Sequence, residues 1–551
     1  MRLKTRLANR LGALPARHVT WGLVLIFSTW VLADVLLFRL TGGLALSSYD
    51  LMVRSRLVAA APDARIVIVD IDEASLQRMG REFGRWPWPR DTLATVLQHI
   101  ESQQPAAIIW DMVFSDADRL NPGGDAAFNA AVGRSTHSHF AVVRLPAAND
   151  ASSQVTRAVL PGLWITPAAP SANGAPTPLA TLAVIAPALP ALAGARLGTN
   201  NGYADRDGVL RRYRSAEVLA DGSAIQSIAT SALASVDPPA WNRYAQRLAT
   251  GAVQHNALIA WRLKAEAYPR VPFADVFASA EGAATGTVAS SFRGKVVIIG
   301  STAPSLHDMH PTPLSPAQPG VDTLATIVDN ALNDRGLAEL PRWLQALLAI
   351  SLCAGMAVWV QFNGVKSLAP ALVPLPAGLL ALSFLSLNGS PVFLDLNLAA
   401  GLALLFLAML GFWRGLRQDR WCTPPRASSQ PLAVWAWERR GAWTDAPLER
   451  LIDALERHAP QCRVVVCDTN AAHVGDLRWP ELARWVAIVG PPEAMTAAHH
   501  VLRPALARLA HRDAAITVLD TTPNRENLAK QVLGAWASLQ KADTPLELVR
   551  K

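Results

Sequence analysis

The chain has 551 residues, too many for one ordinary core, so two or three domains are expected. Hydrophobic residues make up 51% of it and the mean hydropathy is positive, which argues against a wholly soluble protein and for membrane spans. The net charge of +8 is concentrated in two places: Arg2, Lys4, Arg6, Arg10 and Arg17 stand before residue 20 without an acid, and Arg414, Arg417, Arg420 and Arg426 outweigh Asp419. Both clusters flank apolar segments, so they read as topology signals and not as a nucleic-acid surface.

In chain order, a basic segment, 1–19, precedes an apolar span at 20–41 that exceeds a signal-peptide core and ends in FRLTGG without a cleavage site. It reads as a retained anchor, with Asp34 towards its outer end. Residues 42–340 hold no comparable apolar run. They open with the β-branched run Ile66–Val69, closed by Asp70 and Asp72. Helical spacing follows at Leu93, Val96, Leu97 and Ile100, then a second apolar run, Ala106–Trp110, ending in Asp111. This predicts a βαβ unit with acids at the edge where α/β sheets form sites. Further on, 139–146 reads as a strand, 147–190 as a surface excursion, 224–236 as a helix, Val209–Tyr213 as a strand after a turn, and 294–300 as a buried strand.

Three apolar segments follow at 343–362, 367–387 and 392–413. Lys366 lies in the first connector, while the second, around Asn388–Pro391, has no basic residue. With the basic clusters at both ends, this predicts four spans, cytoplasmic termini and an extracytoplasmic 42–340. Pro370, Pro374 and Pro376 predict a kink in the third span. A polar linker, 414–430, leads to 431–551, where strand-like and helical segments alternate as in a small α/β domain. The expected fold class is therefore an α/β extracytoplasmic domain, four transmembrane helices and a small cytoplasmic α/β domain. The four cysteines, Cys353, Cys422, Cys462 and Cys467, lie outside 42–340 and show no zinc spacing, so neither disulfides nor a metal is expected.

Six segments in order carry a resemblance to the CHASE type 2 sensory domain of bacterial membrane receptors. They are Tyr49–Arg54, IVIVDIDEASL (66–76), Gly84–Arg90 (GRWPWPR), Asp111–Phe114, Asp205–Arg212 (DRDGVLRR), and Gly294–Ala303 followed by Pro319-Gly320-Val321. The resemblance implies an extracytoplasmic sensor in a bacterial inner membrane, closed by three spans, with a homodimer as the expected assembly. No heptad repeat joins the last span to the tail.

Asp70, Asp72, Glu73 and Asp111 would gather at one sheet edge, where paired acids serve acid–base chemistry, cation binding or structural capping. Arg85, Trp86, Trp88 and Arg90 offer guanidinium and indole faces to a ligand, or form a packed cap over the sheet. Ser301 and Thr302 complete the candidate ligand set. Asp205-Arg206-Asp207-Gly208 lacks the closing acid of a calcium loop, since Ala216 stands at position twelve, and Gly123-Gly124-Asp125 lacks a cyclase signature.

In the tail, His511-Arg512-Asp513 lacks the rest of a kinase set, and no P-loop, kinase or cyclase motif occurs. No cofactor is expected. The leading expectation is a membrane receptor that recognises a small ligand or periplasmic protein and signals through a cytoplasmic protein partner. Two alternatives stand beside it. One is a sensor-regulated enzyme with a diverged, nucleotide-handling tail, for which Asp468-Thr469-Asn470 and Asp520-Thr521-Thr522 are the first candidates. The other is a structural membrane component.

Overall fold

The structure is a computed structural model and describes residues 14–38, 42–165, 181–219, 223–251, 256–264, 266–282 and 291–422, with short segments between 432 and 519. Two compact units divide the chain.

The first comprises Gly42–Leu340 and Leu382–Asp395. Its sheet has six parallel strands: β1 (Ile66–Ile71), β2 (Ala107–Trp110), β3 (Ser138–Arg144), β4 (Arg196–Thr199), β5 (Arg270–Pro272) and β6 (Val296–Ser301). They lie in the order β5-β1-β6-β2-β3-β4. A short antiparallel strand, Val184–Ile185, pairs with the outer end of β3. The two strands of the expected βαβ unit are therefore parallel but not neighbours: β6, more than 180 residues later, lies between them in register Val67↔Val297 and Ile298↔Ile109. Two helices join β1 to β2 where one was expected, α2 (Glu73–Phe83) and α3 (Arg90–Ser102), separated by Gly84 at φ +81°.

The central strands are buried on both faces, which is why they read as unbroken apolar runs. Alternation still sorts the side chains. Ile66, Ile68, Ile109 and Ile298 face one layer, containing α1 (Gly42–Arg54), α5 (Ile228–Val236) and α7 (Gly320–Leu332). Val67, Val69, Ile71, Trp110 and Ile299 face the other, containing α2, α3, α4 (Pro122–Arg134) and α6 (Phe273–Ala280). Each such side chain contributes roughly 1.5–3 kcal/mol on burial. Helices on the steps β1 to β2, β2 to β3 and β5 to β6 lie on the second face, and α5, on the return to β5, lies on the first, as a single crossover hand requires.

Some local expectations change. Within 224–236, Ala224–Gln226 is a strand and the helix starts at Ile228 behind Ser227, whose Oγ accepts from Thr230 N at 3.2 Å. Of the strand expected at Val209–Tyr213, only Arg212–Tyr213 pairs. Gly123, Gly124 and Asp125 lie in the first turn of α4.

The second unit comprises Met1–Thr41, Pro341–Ala381 and Leu396–Lys551. Among the described residues, four helices are long and apolar enough to cross a membrane: Ala16–Leu37, Arg342–Asn363, Ser367–Gly389 and Asn397–Arg417. The first loosens into a π-helix at Asp34–Phe38. Its core is made with small residues, Ala349, Ala357 and Ala403, which let Phe27 and Phe406 meet edge-on at 6.3 Å. The expected mid-span kink is instead a 3₁₀ turn, Val365–Ala371, containing Pro370, after which the α-helix begins at Pro374 with Pro376 in its first turn. A proline there needs no backbone donor. The fourth helix begins at Asn397, five residues later than expected, because Val392–Phe393 pairs with Ala338–Glu339 in the first unit.

In the tail, Leu432–Arg439 pairs antiparallel with Trp485–Gly490, Ala510–Asp513 and Thr517–Leu519, and Arg463–Val466 pairs with Trp485–Gly490. His511-Arg512-Asp513 thus lies in a strand and not in a catalytic loop. Asp468-Thr469-Asn470 and Asp520-Thr521-Thr522 lie outside the described residues.

Candidate functional site

The chain leaves β1 and β2 towards the second face, but leaves β6, between them, towards α7 on the first. Diverging connections open a crevice at the carboxyl ends of these three strands. Asp70, Asp111, Ser301 and Thr302 all stand there.

Asp70 is buried and accepts from Thr302, from Oγ1 at 2.8 Å and from N at 3.1 Å. Burial pushes its carboxyl up, and the threonine pulls it part-way back. Ser301 Oγ donates to Ile71 O at 2.8 Å and accepts from Ala303 N at 3.0 Å. Asp72 is the N-cap of α2, accepting from Ser75 N at 2.7 Å, and Glu73 accepts from Ser305 N at 3.0 Å. Of the four acids expected together, Asp70, Asp72 and Glu73 therefore bind the loop after β6 and cap α2. Asp111 stands apart from them, with β6 between.

Gly84–Arg90 forms the packed cap. Trp88 is buried against Phe273 at 5.2 Å, Trp86 meets it edge-on at 4.9 Å, and Arg85 is exposed. Arg90 donates to Asp125 at 2.5 Å and to Asp116 O, with its guanidinium 5.7 Å from the centre of the Phe114 ring. Trp110, Phe114, Phe128 and Phe140 cluster beneath, Trp110 stacking on Phe140 at 5.9 Å. Trp86, Trp88 and Arg90 therefore hold the sheet's second face and do not line the crevice.

Asp111 is different. Its Oδ1 accepts from Asn200 Nδ2 at 2.5 Å, while its Oδ2 is sealed from solvent without a partner. Burial, then the Asp308 charge, raises its pKa to about 7, and the Asn200 hydrogen bond and His310 oppose the shift. His310 Nε2 lies 3.2 Å from Asp308 Oδ1, and that carboxylate raises the imidazole above its ordinary value. Asp308 also accepts from Gly320 N through its backbone carbonyl at 2.9 Å. Its carboxylate lies so close to Gly320 that a Cβ there would fall 2.3 Å from an oxygen, so a side chain at 320 would displace the Asp308 carboxylate. Gly300 is also tightly enclosed: a Cβ would stand 2.8 Å from Val321 and 3.0 Å from Asp111 Cβ, so one of them would have to shift.

On the other side of β6, Arg270 donates to buried Asp322 at 2.6 Å, and burial raises Asp322. Asn200, Arg270, Asp308, His310 and Asp322 were missed from sequence. Only Asp308 and His310, alternating in the loop after β6, carried a readable signal.

The remaining motif residues form an ion network. Arg211, 1% exposed, donates from Nε and Nη2 to the two carboxylate oxygens of Asp50, both at 2.7 Å, and also pairs with Asp205 and Asp207. Arg212 pairs with Glu339 at 2.8 Å and with Asp205. Asp205–Gly208 is a turn, closed by Gly208 N on Asp205 O at 2.9 Å, with Gly208 at φ +81°. Nearby Asp329, fully buried, holds Arg262, Tyr268 and the backbone N of Asp63. Among the described residues, no group of three or more histidines, cysteines or acids is arranged to hold a metal.

A family model described as the CHASE2 domain matches residues 23–360. The chain belongs to the CHASE2 family. CHASE2 is a sensory domain, and its matched span takes in most of the first candidate membrane helix, the whole six-stranded sheet and most of the second candidate helix. No curated protein and no solved structure matches the chain.

Proposed function

We propose that this CHASE2 protein is an inner-membrane receptor whose α/β unit lies outside the membrane, with both termini cytoplasmic. The charge pattern supports that orientation, since the connectors that join the α/β unit are the ones without basic clusters. Residues Leu382–Asp395, the end of the third helix and the connector to the fourth, group with the α/β unit, which supports a shared outer side. The crevice at the ends of β1, β6 and β2 recognises the ligand, a small molecule or a periplasmic protein segment. The observation that carries this reading is the sealed, partnerless Oδ2 of Asp111 beside Asn200, Asp308 and His310. A ligand whose binding shifts the surrounding loop and donates a hydrogen bond to that oxygen satisfies a group that otherwise costs free energy.

Binding that favours one arrangement of the β6–α7 loop passes a population shift to the membrane helices. The tail acts through a cytoplasmic protein partner, and the family resemblance favours a homodimer. Thermal unfolding of the full chain in lipid nanodiscs, with fractions of periplasmic extract, tests the ligand reading. A fraction that raises the midpoint of the wild-type chain but not of Asn200→Ala supports it. Failure of every fraction refutes it. Co-purification from native membranes, with and without residues 427–551, tests the tail. Proteins lost with the tail identify the partner, and no loss removes the docking role.

A further inference from the structure

Within the α/β unit, which takes in the last residues of the third apolar helix, Arg56 holds the end of that helix. Its guanidinium donates to Leu387 O at 2.9 Å and to Trp261 O at 3.2 Å. Leu387 lies in the last turn of Ser367–Gly389, so both the 54–58 and 261–264 stretches are held at the level where that helix ends. The connector beyond it is equally fixed: Phe393 is buried edge-on against Tyr49 at 5.4 Å, and Ala338 pairs with Val392.

Beside this clamp stand side chains that water does not favour. Leu57 is 81% exposed, Val58 65% and Leu263 55%, while Leu385, on the helix itself, is 64% exposed. Isolated exposed leucines need no explanation, but several flanking one bond to the end of a membrane-length helix do. Their polar neighbours are mainly basic, with Glu266 the exposed acid two residues beyond Lys264. Arg54 and Lys264 are exposed, and residues 54–62 contain two arginines and no acid. Apolar tips with basic heads beside them match the boundary between acyl chains and anionic headgroups.

We propose that this surface is a lipid seat: Leu57, Val58 and Leu263 enter the outer-leaflet interface beside the third span, and Arg54 and Lys264 meet lipid phosphates. The proposal rests on the membrane reading above. The seat gives the α/β unit a second attachment besides its covalent connections. Movement of the 54–58 stretch is then resisted by lipid as well as by protein.

The test is site-directed spin labelling of the full chain in phosphatidylethanolamine–phosphatidylglycerol vesicles, with the native cysteines replaced by alanine. Labels follow Leu57→Cys, Val58→Cys and Leu263→Cys, with Leu385→Cys as the span reference and Leu120→Cys, 99% exposed on a loop, as the aqueous one. Collision rates with oxygen and with a water-soluble nickel chelate are compared. The expected result is a ratio several-fold above that at position 120 for all three seat positions, approaching that at 385. A water-like ratio at 57, 58 and 263 with a lipid-like one at 385 overturns the seat while leaving the membrane reading intact. A water-like ratio at 385 overturns both.

Discussion

Removing the Asp50 carboxylate is the sharpest test of how the family-motif segments work in this chain. Arg211 is almost fully buried, and Asp50 receives two of its hydrogen bonds at 2.7 Å with a side chain only 13% exposed. Asp207, its other close partner, is 42% exposed and screened by solvent, and Asp205 is shared with Arg212. Two buried charge-assisted bonds at about 1.5–3 kcal/mol each set the upper range. Breaking one side of a buried pair costs about 3–5 kcal/mol when nothing else holds the charge. Because Asp205 and Asp207 remain, Asp50→Ala is expected to cost about 2–4 kcal/mol. For a unit of this size that lowers the melting midpoint by roughly 5–10 °C. The assay is thermal unfolding of the full chain in detergent, run as a double-mutant cycle with Arg211→Met. The double variant is expected to be less destabilised than the two single losses added together, since no orphaned charge remains. A loss under about 0.5 kcal/mol for Asp50→Ala would refute the reasoning, since that is the size expected of an ordinary surface site.

Other outcomes follow from the crevice. Asp111 has a folded pKa of about 7, raised from the ordinary carboxylate range, so between about pH 4 and pH 7 the folded state holds a proton that the unfolded state has lost. Its contribution to stability is full below about pH 4 and is lost as pH rises through about 7. Asp111→Asn should flatten the melting midpoint over that window, and an unchanged pH slope would contradict the assignment. Asp308→Asn removes the neighbouring anion and should move the Asp111 transition to lower pH, whereas His310→Gln should move it higher, as read by carboxyl NMR or the same melts. Gly300→Ala, pressing on Val321 and Asp111, should cost about 1–3 kcal/mol by overpacking. Gly198→Ala should cost more than Gly300→Ala, because its Cβ would stand 2.3 Å from the Ile228 backbone, which cannot rotate away; equal midpoints for the two variants would contradict this.

Much of this was legible in the chain itself. Apolar runs at 66–69, 106–110 and within 294–300 announced buried strands of a parallel sheet, because strands buried on both faces dispense with polar alternation. The spacing of Leu93, Val96, Leu97 and Ile100 marked the buried side of α3. Apolar length and basic flanks marked four membrane-length helices, since crossing hydrocarbon requires a long uncharged run. What the sequence could not determine was which strand lies beside which. Local pattern carries no record that β6, from near the end of the unit, inserts between β1 and β2, or that the tail strands pair antiparallel. That insertion decides the site: it separates Asp111 from Asp70, turns Thr302 onto Asp70, and brings Asn200, Asp308 and His310 to Asp111 from segments about 90 to 200 residues away. Charges and hydrogen bonds act through space, so the acids that looked equivalent along the chain were sorted into caps, clamps and one sealed carboxylate only by tertiary packing.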